Sequence, residues 1–500
     1  LSKIAVIASP RLEPHRPPPG PAIIAHVCQK LGHDVTVYDL NIKFFQRCRS
    51  QSQDYGSYDA VWEHYADPTP EQDAFLQDFI DHWCKVVADE NYDYVLISVF
   101  GHACAFFTNR FLKQLRPHTK ATIVAGGNAV NTVSLVDHDR CYGRELQLQG
   151  LIDHFITGEG EHALELFFNG QGGPGINNTD PAQIDDINNL PGPDYSYYNL
   201  DDYDYLYPGE REVYITGSRG CVRKCTYCDV ERYWPKFRYR SGSSIAREII
   251  ENYERFGITR FYFTDSLVNG SLKAFSEQCE HLAKYRFDQP IKWSGQFIFR
   301  PKRSTPRDHY RMISEAGGNF FYVGLETGSD RLRFDMAKKF TNDDIDFNLE
   351  QCSQNNIRIM PLMFTGYVTE TLEDHYENLK IFQRWQRYVA DGTINAVELG
   401  SSLVILPGAP VERMVESHDI RFVHDPTGEA NLKLWYSMAN PDLTLRERIR
   451  RKIEIHETAI RHHWPVWRQE SRLNDLKQII LKHKLHLENP VFSKIIPISR

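Results

Sequence analysis

The chain of 500 residues contains no uninterrupted apolar stretch of bilayer length, so nothing in it reads as a membrane-spanning helix. It also lacks an excess of basic charge. Lys and Arg number 58 against 66 Asp and Glu, and a net charge of -8 leaves no overall electrostatic footprint for nucleic acid. Only three of the ten cysteines cluster, so there is no disulfide framework. The segment Leu1 to Pro10 has a strand-length apolar core without the longer apolar run and cleavage site of a secretory signal. The reducing cytoplasm is the expected location. No Gly-x-Gly-x-x-Gly follows the first apolar run, which removes the usual signature of a dinucleotide.

What is present predicts an α/β protein of several domains, with 41% hydrophobic and 25% charged residues. Lys3 to Ala8 reads as a buried strand, Ala22 to Leu31 as a helix, and Asp34 to Tyr38 as a strand. Tyr94 to Ser98, a helix over 106–115, Thr122 to Ala125, Ile152 to Thr157 and a helix from His162 continue the alternation. Such an order gives a parallel Rossmann-like sheet whose ligands bind beyond the carboxyl ends of the strands. Those ends carry Pro18-Pro-Gly20, Ser98, Gly126, Gly127, Gly158 and Glu159, mostly small residues that admit a closely approaching cofactor and are equally ordinary turns. His102, on the loop after Ser98, is within reach of a ligand there, although a lone loop His is more often solvated. A helical insertion spans about 45–90, with Phe75, Phe79, Trp83 and Val86 expected on one face.

A Gly- and Asn-rich linker at 171–210 separates this domain, 1–170, from the most informative run in the chain. In Gly217-Ser-Arg-Gly-Cys-Val-Arg-Lys-Cys-Thr-Tyr-Cys-Asp229, three thiolates on one tight loop, Cys221, Cys225 and Cys228, suit three irons of a 4Fe-4S cluster and leave the fourth iron open. A zinc knuckle needs four ligands, and no further Cys or His follows at finger spacing. The basic stretch from Arg232 to Arg240 reads as a solvated lid beside an anionic cofactor.

From Val213 to about residue 415 six strand-then-helix units can be counted, an incomplete TIM-type (β/α)6 barrel, followed by a basic helical region over 416–500. Barrel chemistry sits at the carboxyl ends of the strands. That rule selects the cysteine loop, Asp265, Arg300, Glu326, Gly366 and the run Pro407 to Pro410.

The cysteine run resembles the signature of the radical S-adenosylmethionine (SAM) superfamily, with Tyr227 as the aromatic residue before the last Cys. Gly257 to Asp265, Gly324-Leu-Glu-Thr-Gly-Ser329, Phe364 to Asp374 and Pro407-Gly-Ala-Pro410 resemble further segments of that family. The turn at Tyr367-Val-Thr369 departs from its usual Pro-Gly pair. The first domain resembles the cobalamin-binding domain of one large radical SAM subgroup, although the Asp-x-His-x-x-Gly motif of other cobalamin proteins is absent.

The resemblance implies a 4Fe-4S cluster on Cys221, Cys225 and Cys228, with SAM chelated to the open iron and cleaved to a 5'-deoxyadenosyl radical. It implies cobalamin in the first domain at Ser98, Gly126, Gly127, Gly158 and Glu159. Tyr227 and Gly366 are expected at SAM, and Glu326 is expected to take a SAM hydroxyl or ammonium group. Asp265 is expected at SAM or substrate, and Arg300 at a carboxylate or phosphate, with an ordinary barrel ion pair as the alternative for each. The implied reaction is methylation or rearrangement of an unactivated carbon in a small molecule or peptide, with flavodoxin or ferredoxin as reductant. Two alternatives stand beside it: a radical SAM enzyme whose Rossmann-like domain binds no cobalamin, and a SAM- or corrinoid-binding regulator without turnover.

Overall fold

The computed structural model describes residues 1–58, 68–131, 141–400, 402–424 and 430–468. Its contacts divide the chain into two units. The first is Leu1–Arg219 with Phe237–Thr264 and Phe287–Ile291; the second is Gly220–Lys236 with Asp265–Arg286 and Lys292–Arg500.

In the first unit β1 (Lys3–Ala8), α1 (Pro19–Lys30), β2 (Asp34–Asp39), α2 (Leu40–Ser50), α3 (Pro70–Asp89) and β3 (Tyr94–Ser98) lead into α4 (His102–Leu115) and β4 (Thr122–Gly126). Strand β5 (His154–Ile156) and helix α5 (Gly160–Phe168) follow. The five strands pair in parallel in the order β2-β1-β3-β4-β5. Both faces are covered, which explains apolar runs rather than strict alternation. Ala5, Ile7, Val95 and Ile97 pack on one face with Phe44, Phe79 and Phe107, while Ile4, Val6, Leu96 and Val124 pack on the other with Ala25 and Leu164.

Helix α3 starts at a Thr69/Gln72 capping box with Pro70 in its first turn. Its buried stripe is Leu76, Phe79, Ile80, Cys84 and Val87, rotated from the expected one, with Phe75 and Trp83 flanking it half-buried. Phe75 and Trp83 reach the core from the sides of the helix, while Phe79 lies within its buried stripe. The same unit contains β6 (Glu212–Ile215), α6 (Gly242–Phe256) and β7 (Arg260–Phe263), with β6 and β7 parallel. Ser241 caps α6 by accepting from the Ser244 amide.

The second unit continues the strand-then-helix rhythm through α7 (Leu272–Lys284), β8 (Lys292–Phe297), β9 (Gly318–Glu326), α8 (Asn342–Gln354), β10 (Arg358–Met363), α9 (Leu372–Arg384) and β11 (Glu398–Leu399). Its strands are parallel and follow chain order. Among the described residues six parallel strands therefore follow residue 211, as expected of the α/β class, although the last is only 2 residues long. Beyond them, where the sequence predicts helix, the chain adds an antiparallel hairpin, β12 (Ile420–His424) and β13 (Ala430–Ser437). Helix α10 (Leu445–Arg461) follows. The helix expected at 472–486 lies outside the described residues, as do the side chain of His102 and residues 59–67 of the insertion. Among the described residues no helix is long and apolar enough to cross a membrane.

Candidate active site

The cysteine loop is held by contacts that its own sequence does not advertise. The Thr226 amide donates to the Met336 carbonyl at 3.3 Å, and the Thr226 carbonyl accepts from the Val411 amide at 2.7 Å. The Thr226 hydroxyl lies 2.6 Å from that of Tyr367. Within the loop the Cys228 amide donates to the Cys225 carbonyl at 3.1 Å, and the Arg223 amide points at Cys221 Sγ at 3.4 Å. Cys225 is buried and its two companions are half-buried. Burial pushes the Cys228 thiol up to about 12 and raises that of Cys225 as well. Thiols in such surroundings are inert unless a metal stabilises the thiolates.

Glu326 closes β9 in the left-handed region, at φ 64°, where the register with β10 slips between Gly324 and Glu326. The reversal brings its side chain back along the strand. Oε1 accepts from the Tyr227 hydroxyl at 2.7 Å and pairs with Lys338 Nζ at 2.7 Å. Lys338 also donates to the Gly324 carbonyl at 3.1 Å and lies 5.8 Å from the Tyr227 ring centre. Phe364 meets Tyr227 edge-on at 5.1 Å. Gly324 leaves this space open: a Cβ on it would stand 2.2 Å from Glu326 Oε1 and 2.8 Å from Lys338 Nζ, and those two side-chain ends would have to move. Burial opposes the Lys338 charge, but Glu326, followed by Cys225, carries opposite charge and the net shift is upward. The Tyr227 hydroxyl is raised well above its usual range, first by burial and then by Glu326. The structure thus brings Tyr227, Glu326 and the cysteines together and adds Lys338. Sequence reasoning missed this lysine because nothing separates it from the adjacent Lys339.

Other expected positions have contacts of their own. Asp265 is buried in the second unit. Arg300 Nη2 donates to the carbonyls of Asn269 and Gly270 at 2.6 and 3.2 Å, and among the described residues no carboxylate pairs with it. Burial, followed by the nearby Arg223 charge, lowers its pKa. The amide of Gly366, at φ 76°, donates to Glu370 Oε2 at 2.6 Å, so this turn is secured from within the protein. Arg448 of α10 lies against it, with Nε 2.7 Å from where a Gly366 Cβ would be.

In the first unit the sheet order reverses between β1 and β3, the switch point where open sheets of this type bind ligands. The Ser9 amide donates to the Ser98 carbonyl there at 3.3 Å. Gly20 and Gly126 border the edge, and a Cβ on either would meet nothing closer than 3.8 Å. Phe100, overlooked in the sequence, is 61% exposed on the loop after β3, unusual for a ring of this size. Gly127 and Gly158 are instead pressed against the backbone of Val99 and Ala182. Glu159 is buried, paired with Arg238 at 2.7 Å and Arg219 at 3.1 Å. Its carboxylate is engaged by protein side chains.

Residues 215–379 match the family model of the radical SAM superfamily. This stretch is a radical SAM domain. The chain is 24% identical over 218 residues to the anaerobic magnesium-protoporphyrin IX monomethyl ester cyclase of Rubrivivax gelatinosus, an alignment covering 42% of this chain and 38% of that relative. The chain thus matches little more than a third of the relative's length. Among solved structures, TsrM from Kitasatospora setae, a radical S-adenosylmethionine methyltransferase with tryptophan substrate and aza-SAM bound, aligns with TM-score 0.64 and 14% identity over 97% of this chain and 100% of its own. OxsB, a cobalamin-dependent S-adenosylmethionine radical enzyme with aqua-cobalamin bound, aligns with TM-score 0.66 and 15% identity over 91% of this chain and 66% of its own. At these identities the likeness is one of fold.

The donor set of the radical SAM domain fits an iron-sulfur cluster. Among the described residues no three His, Cys, Asp or Glu side chains converge on a single ion. A cluster asks for something else, each thiolate on its own iron. Lys338 brings positive charge to Cys225 and Cys221, as an anionic cluster held there would require.

Proposed function

We propose that this chain is a cobalamin-dependent radical SAM enzyme that methylates an unactivated carbon of a small molecule or peptide. The observation that carries the reading is the convergence of Cys221, Cys225 and Cys228 with Tyr227 and Glu326 in a radical SAM domain. The open switch-point edge of the first sheet and the exposed Phe100 support the corrinoid part, as do the folds shared with TsrM and OxsB. The reading carries with it the domain division at 1–170, 171–210, 211–415 and 416–500.

When bound, the cluster and SAM supply a radical able to remove hydrogen from carbon, and cobalamin supplies a transferable methyl group. The protein's part is placement. Cys221, Cys225 and Cys228 would hold the cluster. The second oxygen of Glu326 remains to accept a hydroxyl or ammonium hydrogen of SAM, and Tyr227 and Phe364 offer aromatic surface to its adenine. Asp265, Arg300 and Gly366 would line the SAM or substrate side. Gly20, Ser98, Gly126 and Phe100 would border cobalamin, Gly127 and Gly158 would let the backbone behind that edge pack closely, and Glu159 would brace it through its arginines. A one-electron reductant such as flavodoxin or ferredoxin is implied.

The test is anaerobic reconstitution with iron, sulfide and hydroxocobalamin, followed by incubation with dithionite and methyl-labelled SAM. Retained corrinoid, label appearing on it, and 5'-deoxyadenosine that disappears in Cys225→Ala are expected. Failure to retain corrinoid removes the cobalamin part alone, whereas absence of any cluster-dependent product removes the enzymatic reading. Ring closure is a second reading, favoured by the similarity to the Rubrivivax cyclase. It predicts 5'-deoxyadenosine without net methyl transfer to product.

A further inference from the structure

We propose that Lys338 is a positioning residue that clamps one oxygen of Glu326 and raises the reduction potential of a cluster held by Cys221, Cys225 and Cys228. The proposal rests on the cluster assignment above.

Its geometry is unusual for a lysine. Only 7% of the residue is exposed, yet it serves one carboxylate oxygen, which it shares with the Tyr227 hydroxyl. The flanking residues Ala337 and Lys339 both adopt left-handed conformations, at φ 61° and 59°, so the backbone bears local strain on either side of this side chain. The Lys338 amide is fixed to the Arg333 carbonyl at 3.0 Å, and the Met336 carbonyl holds the cysteine loop through Thr226 at 3.3 Å. The segment that presents Lys338 therefore also braces the cysteines. Within reach of its ammonium group lie the charges of Glu326, Cys225 and Cys221.

Two consequences follow from a fixed cation in a poorly solvated site. Locking Oε1 of Glu326 orients the other oxygen, which lowers the ordering cost of an incoming donor. An added electron makes the cluster more negative, and a nearby positive charge stabilises that reduced form, so the potential rises. The electron comes from the external reductant. No bond is made or broken in this step.

Full-length protein, reconstituted anaerobically, would be titrated with dithionite while the reduced cluster is followed by electron paramagnetic resonance. Lys338→Met is expected to move the midpoint to a more negative potential, with on the order of tenfold less reduced relative to oxidised cluster at a fixed poise, equivalent to about 59 mV for one electron. Lys338→Arg, which keeps the charge, should retain the wild-type midpoint. SAM affinity should fall in Lys338→Met in parallel. A Lys338→Met protein with full iron and sulfide content and an unchanged midpoint would overturn the proposal, as would an Arg variant shifted as far as Met. Should the Met variant not retain iron, Lys338→Gln keeps a donor for Glu326 without the charge, and the same downward shift is required of it. A wild-type protein that takes up no cluster would instead remove the underlying assignment.

Discussion

Gly324→Ala is the sharpest probe of how the site is built. The added methyl would stand 2.2 Å from Glu326 Oε1 and 2.8 Å from Lys338 Nζ, so those two groups cannot both stay where they are. Relief requires Glu326 to leave the position in which it accepts from Tyr227 and pairs with Lys338, each at 2.7 Å. Hydrogen bonds of this charge-assisted kind are worth roughly 1.5–3 kcal/mol each. Disturbing one of them at the group expected to receive SAM should weaken SAM binding by about tenfold to a hundredfold. Calorimetric titration of SAM into anaerobically reconstituted protein measures this directly, with iron content as the control for an intact cysteine loop. The cycle with Glu326→Ala isolates the cause. Once the carboxylate is gone, adding Gly324→Ala should cost little more. A glycine variant that binds SAM like wild type, or one that loses as much again in the Glu326→Ala background, would refute the argument.

Further outcomes concern the cluster and the two folding units. Cys225→Ala should lose the visible absorption of the reconstituted cluster, and a variant with undiminished iron content and absorption would contradict the assignment. His309 is buried among Phe275, Phe297 and Tyr310 with neither ring nitrogen hydrogen-bonded, and burial holds its pKa down at about 4 instead of 6.5. The unfolded chain then binds a proton that the folded one refuses, so stability falls as pH drops from 6.5 towards 4, by about 2 kcal/mol at pH 5. His309→Phe should suppress that slope and stabilise the protein at neutral pH; urea unfolding at about pH 7.5 and 5 decides, and an unchanged slope would discount the histidine. Asp39 behaves oppositely, since burial pushes it up to about 6 despite bonds from Tyr203 and the amides of Asn41 and Ile42. Here the folded state keeps its proton longer, and stability declines as pH rises from 3.8 to about 6. Asp39→Asn keeps an acceptor for both amides and should gain about 1–2 kcal/mol at neutral pH, visible as a higher urea midpoint; a lower midpoint would show that the Tyr203 bond outweighs the burial cost.

The parts legible from sequence are those whose signal is local. Three cysteines within eight residues, a strand ending in Gly-Leu-Glu, and apolar runs alternating with helical periodicity need no knowledge of distant partners. Where partners are distant, the sequence carries no local sign of them. Glu159, expected at a cofactor, is held by Arg219 and Arg238 from sixty and seventy-nine residues away. The C-terminal region reads as basic and helical, and α10 turns Arg448, Arg451 and Lys452 inward. Arg448 stacks on Trp435 at 3.6 Å and donates to the carbonyls of Trp435 and Leu403 at 2.5 and 3.1 Å, so burial lowers its pKa to about 9. Arg451 instead meets Glu370 at 3.1 Å, and Glu370 in turn secures the Gly366 amide. Arginine stems pack as hydrophobes, which is why a count of charges could not find this face. The same holds for Lys338, whose register with Glu326 depends on left-handed residues that no propensity scale anticipates. The cysteines mark where a cluster is expected, but the charges arranged around them come from contacts closed only by the fold. Substitutions at those contacts should therefore alter chemistry while leaving the signature motif, and any sequence-based assignment, intact.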